Sequence, residues 1–342
     1  MEAPPRKKLL VVELWGIGDL VFATTLLRQA VRQYDVTLLA KPHARPLLEQ
    51  TLPELQHVTW DAPWTAFRGK YRWWRWKWRD IWSLLADLRG RRFDVAVSVR
   101  DDPRDHVLMR MVSVPRRIGF PRPGGDRWLT DRLRRVPGTQ HKVEDWRMLA
   151  EQLGLEGAGR AEPGLVASRP ERRGTIPRVC LHVGARIAVR RWPISSFTEL
   201  VRRLRARFNF HLTLVPDPDG HGAELAPLAD EYVSGLDLDQ LVTLLAASDL
   251  LICNDSAPGH LAAAVGTPVL ALFGPTDPVR YRPWGDAHRV VLRDLCPHRP
   301  CFDYCKFPEP YCLTRLTPDE IWPEVEAWFA AQSSKGNGHA DR

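Results

Sequence analysis

Short apolar runs that end in turn-forming residues recur along the chain, and stretches with apolar residues at helical spacing lie between them. Uninterrupted apolar runs of this kind predict strands that are buried on both faces, as in parallel sheets. The predicted strands are 9–14, 36–40, 57–60, 93–99 and 118–120 in the first half and 178–183, 211–215, 250–253 and 269–273 in the second. The alternation of strand and helix predicts an α/β fold in which two Rossmann-like parallel-sheet domains face each other across a cleft.

The pattern is interrupted near the middle of the chain. Residues 156–177 are rich in Gly, Pro, Arg and Glu and lack apolar periodicity, which is typical of an interdomain linker. We expect an N-terminal domain at 1–160, a linker at 161–177, a C-terminal domain at 178–316 with a cysteine-rich insert at 296–312, a last helix at 317–332 and a disordered tail at 333–342.

The stretch 250–278 is the clearest candidate for a ligand site. A buried strand, a tight turn, a helix and a second strand follow one another, with Ser256 as the predicted N-cap and Gly259 removing bulk from the first helical turn. A helix N-terminus at the carboxyl edge of a parallel sheet is a good phosphate site. The alternative is an ordinary strand–helix–strand crossover with a well-capped helix.

A second turn of this type follows the first strand, where Gly16 and Gly18 precede Asp19. Two glycines do not complete the dinucleotide-binding fingerprint, so the turn supports NAD binding only weakly. Asp19 has two interpretations, an N-cap that accepts helix amides or a general base at the edge of the sheet.

Three arginines, Arg186, Arg190 and Arg191, crowd the turn after strand 178–183. Like charges at such a position repel one another unless an anion joins them, and guanidinium groups match phosphate oxygens. This loop therefore predicts an anionic ligand.

Composition narrows the class of protein and its partners. The 342 residues are 44% hydrophobic and 26% charged, as in ordinary soluble proteins, and the formal net charge of +8 favours an acidic partner. No run is long enough to span a bilayer, and the first residues lack a signal-peptide pattern, so a cytoplasmic location is expected.

Residues 67–82 interleave aromatic and cationic side chains. Such a segment can lie on an anionic membrane surface or stack on sugar rings, or its tryptophans can pack on the domain while the arginines face water. Nucleic acid is not expected as a partner, because no recognisable nucleic-acid module accompanies the segment.

The six cysteines form two groups. Cys180 and Cys253 lie in apolar runs, whereas Cys296, Cys301, Cys305 and Cys312 cluster in one loop-like stretch. Four clustered thiols in a reducing compartment indicate a possible structural zinc site, although the spacing departs from paired CxxC motifs and leaves disulfides or free thiols open.

Several motifs together resemble glycosyltransferase family 9, the heptosyltransferases with a GT-B fold. They are GIGDLVFAT at 16–24, HVGA at 182–185 followed by RWP at 191–193, and NDSAPGHL at 254–261 followed by GPTD at 274–277. The resemblance covers roughly residues 8 to 330. It is specific because these motifs occur together and in this order, whereas any one of them alone would be weak.

The resemblance implies a donor nucleotide sugar, ADP-heptose, in the C-terminal domain and a glycan acceptor on the N-terminal domain. It makes Asp19 the favoured catalytic base and places Gly16, Gly18 and Arg100 on the acceptor side. It assigns the donor side to Gly184, Arg190, Arg191, Glu224, Asp255, Ser256, Gly259 and His260. For Asp255, turn capping and contact with the donor sugar stay open, and no metal is required for catalysis.

The expected function is inverting transfer of a heptose or related sugar from an ADP-activated donor to a lipopolysaccharide-type or other cell-surface glycan. The enzyme would be cytoplasmic, with a possible peripheral position at the inner face of the membrane. The alternatives are a GT-B transferase that uses another nucleotide sugar and a non-catalytic protein that binds nucleotide sugars or glycans. Gly184 and Ala185 replace a hydroxyl-rich pair found in some family members, which leaves the donor sugar open.

Overall fold

A computed structural model describes residues 5–66, 71–123, 125–136, 138–169, 176–293 and 296–337. The chain divides into two compact units, Met1–Leu165 and Val166–Arg342. The division falls within the segment predicted as a linker, of which 170–175 lie outside the described residues.

The first unit contains a six-stranded parallel sheet with the strand order β3-β2-β1-β4-β5-β6. Its strands are β1 (Lys7–Glu13), β2 (Tyr34–Ala40), β3 (Gln56–Thr59), β4 (Val95–Ser98), β5 (Arg116–Gly119) and β6 (Asp131–Arg132), and its helices are α1 (Ile17–Gln33), α2 (Ala44–Leu48), α3 (Trp78–Arg91), α4 (Pro103–Met111) and α5 (Lys142–Gln152). The last five residues of β1 are buried, because helices cover both faces of a parallel sheet. The turns that follow β1 and β4 therefore meet at one carboxyl edge.

The second unit repeats this architecture with the order β12-β11-β10-β7-β8-β9. Its strands are β7 (Arg178–His182), β8 (His211–Val215), β9 (Glu231–Tyr232), β10 (Leu250–Asn254), β11 (Val269–Phe273) and β12 (Arg289–Leu292), and its helices are α6 (Ile194–Arg207), α7 (Leu238–Ala246), α8 (Ala257–Ala264), α9 (Pro278–Tyr281), α10 (Tyr311–Thr314) and α11 (Pro318–Asn337). Its core is built around the fully buried side chains of Trp192 and Phe197, whose rings meet edge to face at 4.7 Å. This contact fixes the arginine loop 186–193 to the core beneath β7 and β10.

One predicted boundary is wrong, and helices were missed. The last helix, α11, continues to Asn337 and so enters the tail predicted as disordered, of which 338–342 lie outside the described residues. Helix α4 was not predicted, although Asp102 caps it by accepting from the Arg104 amide at 3.0 Å and Pro103 occupies its first position. No helix among the described residues is long and apolar enough to cross a membrane.

Candidate functional site

Asp19 lies in the first turn of α1 at the carboxyl edge of the first sheet. Gly16 is the N-cap of this helix, and no side chain caps it, so the N-cap interpretation of Asp19 is wrong. The half-buried carboxylate lies close to Gly16, where an added Cβ would stand 4.0 Å from Asp19 Oδ2. Gly18 is the residue before Asp19 in the helix.

Glu13, the last residue of β1, is a charged residue at this edge that the sequence analysis did not single out. Its side chain is only 2% exposed, and its Oε1 accepts the Trp15 amide hydrogen at 3.0 Å. Among the described residues, Glu13 Oε2 has no hydrogen-bond partner. Burial raises the pKa of Glu13 to about 8, aided by the charge of Asp19 and opposed by Lys142 and Arg100.

Arg100 follows β4, the neighbour of β1, and reaches the same edge as predicted. Its guanidinium lies 3.7 Å from the centre of the Trp15 ring and 3.6 Å from Asp102 Oδ2. Arg100 Nη1 is buried and has no hydrogen-bond partner among the described residues. Trp15 thus contacts both Glu13 and Arg100.

In the second unit, Asn254 ties together the ends of the strands that carry the candidate donor residues. Its amide nitrogen donates to the carbonyl of Val183 at 2.7 Å, and its Oδ1 accepts the Trp192 amide hydrogen at 3.0 Å. Because Asn254 is fully buried, both bonds lie away from water and hold the arginine loop against β10. Sequence reasoning treated this residue only as a turn former.

Asp255 follows Asn254 and pairs with Arg190, whose Nη1 donates to Asp255 Oδ2 at 3.3 Å. The hydroxyl of Thr276 also donates to this carboxylate. Arg190 Nη2 donates to Asp303 at 2.8 Å, so the guanidinium bridges two carboxylates. Burial raises the pKa of Asp255, and the charge of Arg190 and the hydrogen bond from Thr276 act against this effect.

Arg191 is held by a second pair of carboxylates. Its Nη2 donates to Asp217 at 2.7 Å and to Asp219 at 2.8 Å. Gly184 makes this arrangement possible, because a Cβ at that position would lie 2.1 Å from Asp217 Cγ. The chain therefore supplies part of the negative charge that balances the arginine loop, and binding of an anionic ligand there stays a prediction.

The turn before α8 differs in detail from the prediction. The hydroxyl of Ser256 donates to the Asn254 carbonyl at 3.1 Å and does not cap the helix by its side chain, although Ser256 occupies the N-cap position. An added Cβ at Gly259 would lie 3.3 Å from Cys253 Sγ, so this glycine allows close packing of α8 on the sheet. His260 is buried within α8, whereas Glu224 is exposed in a short 3-10 turn, Ala223–Leu228.

The four clustered cysteines are free thiols in a segment attached to the end of β11. The amides of Cys301 and Phe302 donate to the carbonyl of Pro275 at 2.9 Å and 3.1 Å. Burial raises the pKa of Cys312 to about 11, with smaller contributions from the other three thiols, which therefore lie near it. Within the described ranges, no three His, Cys, Asp or Glu side chains are arranged to hold a metal ion, and the zinc site stays a prediction.

Most of the described aromatic residues in the segment 67–82 face solvent, and 67–70 lie outside the described residues. The exposed ones are Tyr71, Trp73, Trp74, Trp78 and Trp82. Trp76 is half-buried and contacts Trp64 with a ring separation of 5.9 Å. Packing on the domain therefore accounts for Trp76. Trp78 contacts Trp76 with a ring separation of 5.6 Å and donates to the Trp73 carbonyl at 3.1 Å, while much of its own ring and of the Trp73, Trp74 and Trp82 rings faces solvent.

The profile of glycosyltransferase family 9 (heptosyltransferase) matches residues 81–311. The lipopolysaccharide core heptosyltransferase OpsX of Haemophilus influenzae is 23% identical over an alignment of 317 positions, which covers 85% of this chain and 85% of that protein. Lipopolysaccharide heptosyltransferase 1 of Pseudomonas aeruginosa is 27% identical over 379 positions, which cover 95% of this chain and 98% of the relative.

Two solved structures share the fold over nearly the whole chain. ADP-heptose lipopolysaccharide heptosyltransferase II of Escherichia coli has a TM-score of 0.72 at 22% identity, and covers 96% of this chain and 99% of its own. The family 9 glycosyl transferase of Veillonella parvula has a TM-score of 0.74 at 18% identity, with coverages of 97% and 99%. These likenesses, with the two parallel six-stranded sheets, confirm the predicted GT-B fold class.

Proposed function

Because the chain belongs to glycosyltransferase family 9 and is a glycosyltransferase, we propose that it transfers a heptose from ADP-heptose to a lipopolysaccharide-type glycan, with inversion. The curated relatives with that activity match across most of both chains. The observation in this chain that carries the proposal is the carboxylate of Asp19, which lies at the carboxyl edge of the first sheet and does not cap its helix. This position supports a role for the Asp19 carboxylate as a general base.

The proposed reaction assigns one task to each unit. Asp19 removes the proton from an acceptor hydroxyl as that oxygen forms a bond to the anomeric carbon of the heptose. The bond from this carbon to the diphosphate breaks, and ADP leaves with the electron pair. Arg190, Arg191 and the amides at the start of α8 supply the positive charge that stabilises the departing diphosphate without a metal.

Replacing Asp19 tests this assignment. We expect Asp19→Asn to abolish transfer and to leave donor binding nearly intact, because the amide cannot accept the proton. Asp35→Asn, at an exposed position of β2, is the matched control and should transfer at the wild-type rate. Full activity of Asp19→Asn would contradict the role of Asp19.

A screen of nucleotide sugars by thermal shift tests the donor, since a ligand that binds the native state raises its melting temperature. An upward shift with ADP-heptose supports the proposal. A shift with only a UDP- or GDP-sugar would indicate a transferase with another donor. Binding of ADP-heptose without turnover of any glycan acceptor would favour the non-catalytic alternative.

We further propose that the enzyme works at the cytoplasmic face of the membrane and contacts anionic lipid through its aromatic surface, defined as Tyr71, Trp73, Trp74, Trp78 and Trp82. Their exposure and the neighbouring Arg72, Arg75 and Arg79 fit a headgroup layer, where indoles insert and guanidinium groups pair with phosphates. A lipid-linked acceptor would be presented at the same surface.

Vesicle co-sedimentation tests the membrane proposal. The wild type should sediment with vesicles that contain anionic lipid and much less with neutral ones. The variant Trp73→Ala with Trp74→Ala should lose most of this binding, whereas Tyr232→Ala, at an exposed aromatic residue of the second unit, should retain it. Equal sedimentation of all three proteins would refute the proposal.

A further inference from the structure

Several buried polar atoms at the carboxyl edge of the first sheet have no hydrogen-bond partner among the described residues. They include Glu13 Oε2 at the end of β1, Trp15 Nε1 just after it, and Arg100 Nη1 after the neighbouring strand β4. Buried polar atoms are nearly always hydrogen-bonded, so each one without a partner calls for an explanation. Asp19, the proposed base, lies at the same edge.

Trp15 contacts both Glu13 and Arg100. Its backbone amide donates to Glu13 Oε1 at 3.0 Å, and its ring lies 3.7 Å from the guanidinium carbon of Arg100. The Glu13 carboxyl therefore helps to fix the backbone of the residue on which Arg100 stacks. A change in the charge of Glu13 would act on Arg100 through this short connection and through direct attraction.

The charge of Glu13 depends on groups from every neighbouring element. Burial is the largest influence and favours the neutral form, and Asp19 on α1 acts in the same direction. The positive charges of Lys142 on α5 and Arg100 after β4 favour the ionised form, but their effect is smaller than that of burial. The pKa of Glu13 is therefore raised to about 8. At neutral pH Glu13 therefore holds a proton.

We propose that Glu13 is a positioning residue of the acceptor side, which through Trp15 leaves the Arg100 guanidinium available to bind acceptor oxygens beside Asp19. This inference rests on the proposed transferase function. When Glu13 ionises, its carboxylate attracts the Arg100 guanidinium and adds a second negative charge next to the oxygen that Asp19 deprotonates. Both effects weaken productive binding of the acceptor.

The pH dependence of transfer tests this role. In the wild type, kcat/KM for the acceptor should fall about tenfold per pH unit above about 8, mainly through a rise in KM, because only the protonated form is competent. Glu13→Gln imitates the neutral carboxyl, so it should keep activity at pH 7 within about threefold and lack the fall at high pH. Glu49→Gln, at an exposed site after α2, should retain the wild-type profile.

Infrared spectroscopy supplies a readout that does not require activity. The wild type should show a protonated carboxyl band at pH 7 that disappears near pH 8 and is missing in Glu13→Gln. The lack of such a band in the wild type, or a fall in kcat/KM that persists in Glu13→Gln, would overturn the inference. If the wild type transfers no sugar at all, the proposed function fails, while the infrared titration still decides the protonation of Glu13.

Discussion

Arg190→Gln is the most direct test of how positive and negative charges compensate each other in the candidate donor site. The substitution removes the cation that faces Asp255, whose side chain is 5% exposed, and leaves a buried carboxylate that still accepts from the Thr276 hydroxyl. Breaking a buried ion pair by removing one partner costs about 3–5 kcal/mol. Because Arg190 is itself 24% exposed, we expect the lower end of this range, about 3 kcal/mol at pH 7.

The dependence of this loss on pH follows from the direction of the Asp255 pKa. Burial already raises it above its ordinary value, and removal of Arg190 raises it further. An acid whose pKa is higher in the folded protein than in the unfolded chain does not lower the free energy of unfolding below the unfolded pKa of about 4, because it is protonated in both states. As the pH rises from there toward the pKa of the folded state, the acid lowers the free energy of unfolding progressively. The destabilisation by Arg190→Gln should therefore be small near pH 4 and larger at pH 7.

Urea unfolding followed by circular dichroism at pH 4.5 and pH 7, without ligand, measures both values. Arg203→Gln is the matched control, because it breaks ion pairs with Glu199 and Asp319 on the surface of the same unit and should cost much less than Arg190→Gln at pH 7. Adding Asp255→Asn to Arg190→Gln should recover part of the loss at pH 7. An equal loss at both pH values would refute the reasoning.

Two further predictions concern the second unit. Gly184→Ala places a Cβ 2.1 Å from Asp217 Cγ, so the Asp217 carboxylate must move away from Arg191. Urea unfolding should show that the free energy of unfolding falls by about 1–3 kcal/mol. The control Gly90→Ala, at a site with open space around it, should not destabilise the protein. For the predicted zinc site, metal analysis of protein purified without added metal should find about one zinc per chain, and absence of zinc with four titratable thiols at Cys296, Cys301, Cys305 and Cys312 would contradict it.

Much of the fold was predictable from local sequence because the central strands of parallel sheets are apolar throughout. Val36–Ala40 and Val269–Phe273 are examples, and both occur as strands. The strand at the edge of the second sheet, β12 (Arg289–Leu292), carries partly exposed residues and was not predicted. Edge strands bury less apolar surface and therefore leave a weaker pattern.

The candidate site was predictable in its outline but not in its contacts. The Gly–Asp turn and the arginine loop were visible because each follows directly after a predicted strand and belongs to a motif that resembles the family. Asp303 was missed because it pairs with Arg190 across 113 positions, a separation at which spacing gives no information. Glu13 was missed because it ends an apolar run and nothing local in the sequence shows that its carboxyl is buried.

Because aspartates already pair with Arg190 and Arg191, a ligand that binds these arginines must take the place of the aspartate carboxylates. Each guanidinium already has carboxylate partners, so a diphosphate that binds there replaces existing ion pairs and leaves their number nearly unchanged. Salt weakens the old and the new pairs alike. The affinity for a nucleotide diphosphate should therefore vary less with ionic strength than it would at an arginine cluster without carboxylate partners. A ligand would bind there only if its phosphate oxygens form better hydrogen bonds with the guanidinium groups than the aspartate carboxylates do.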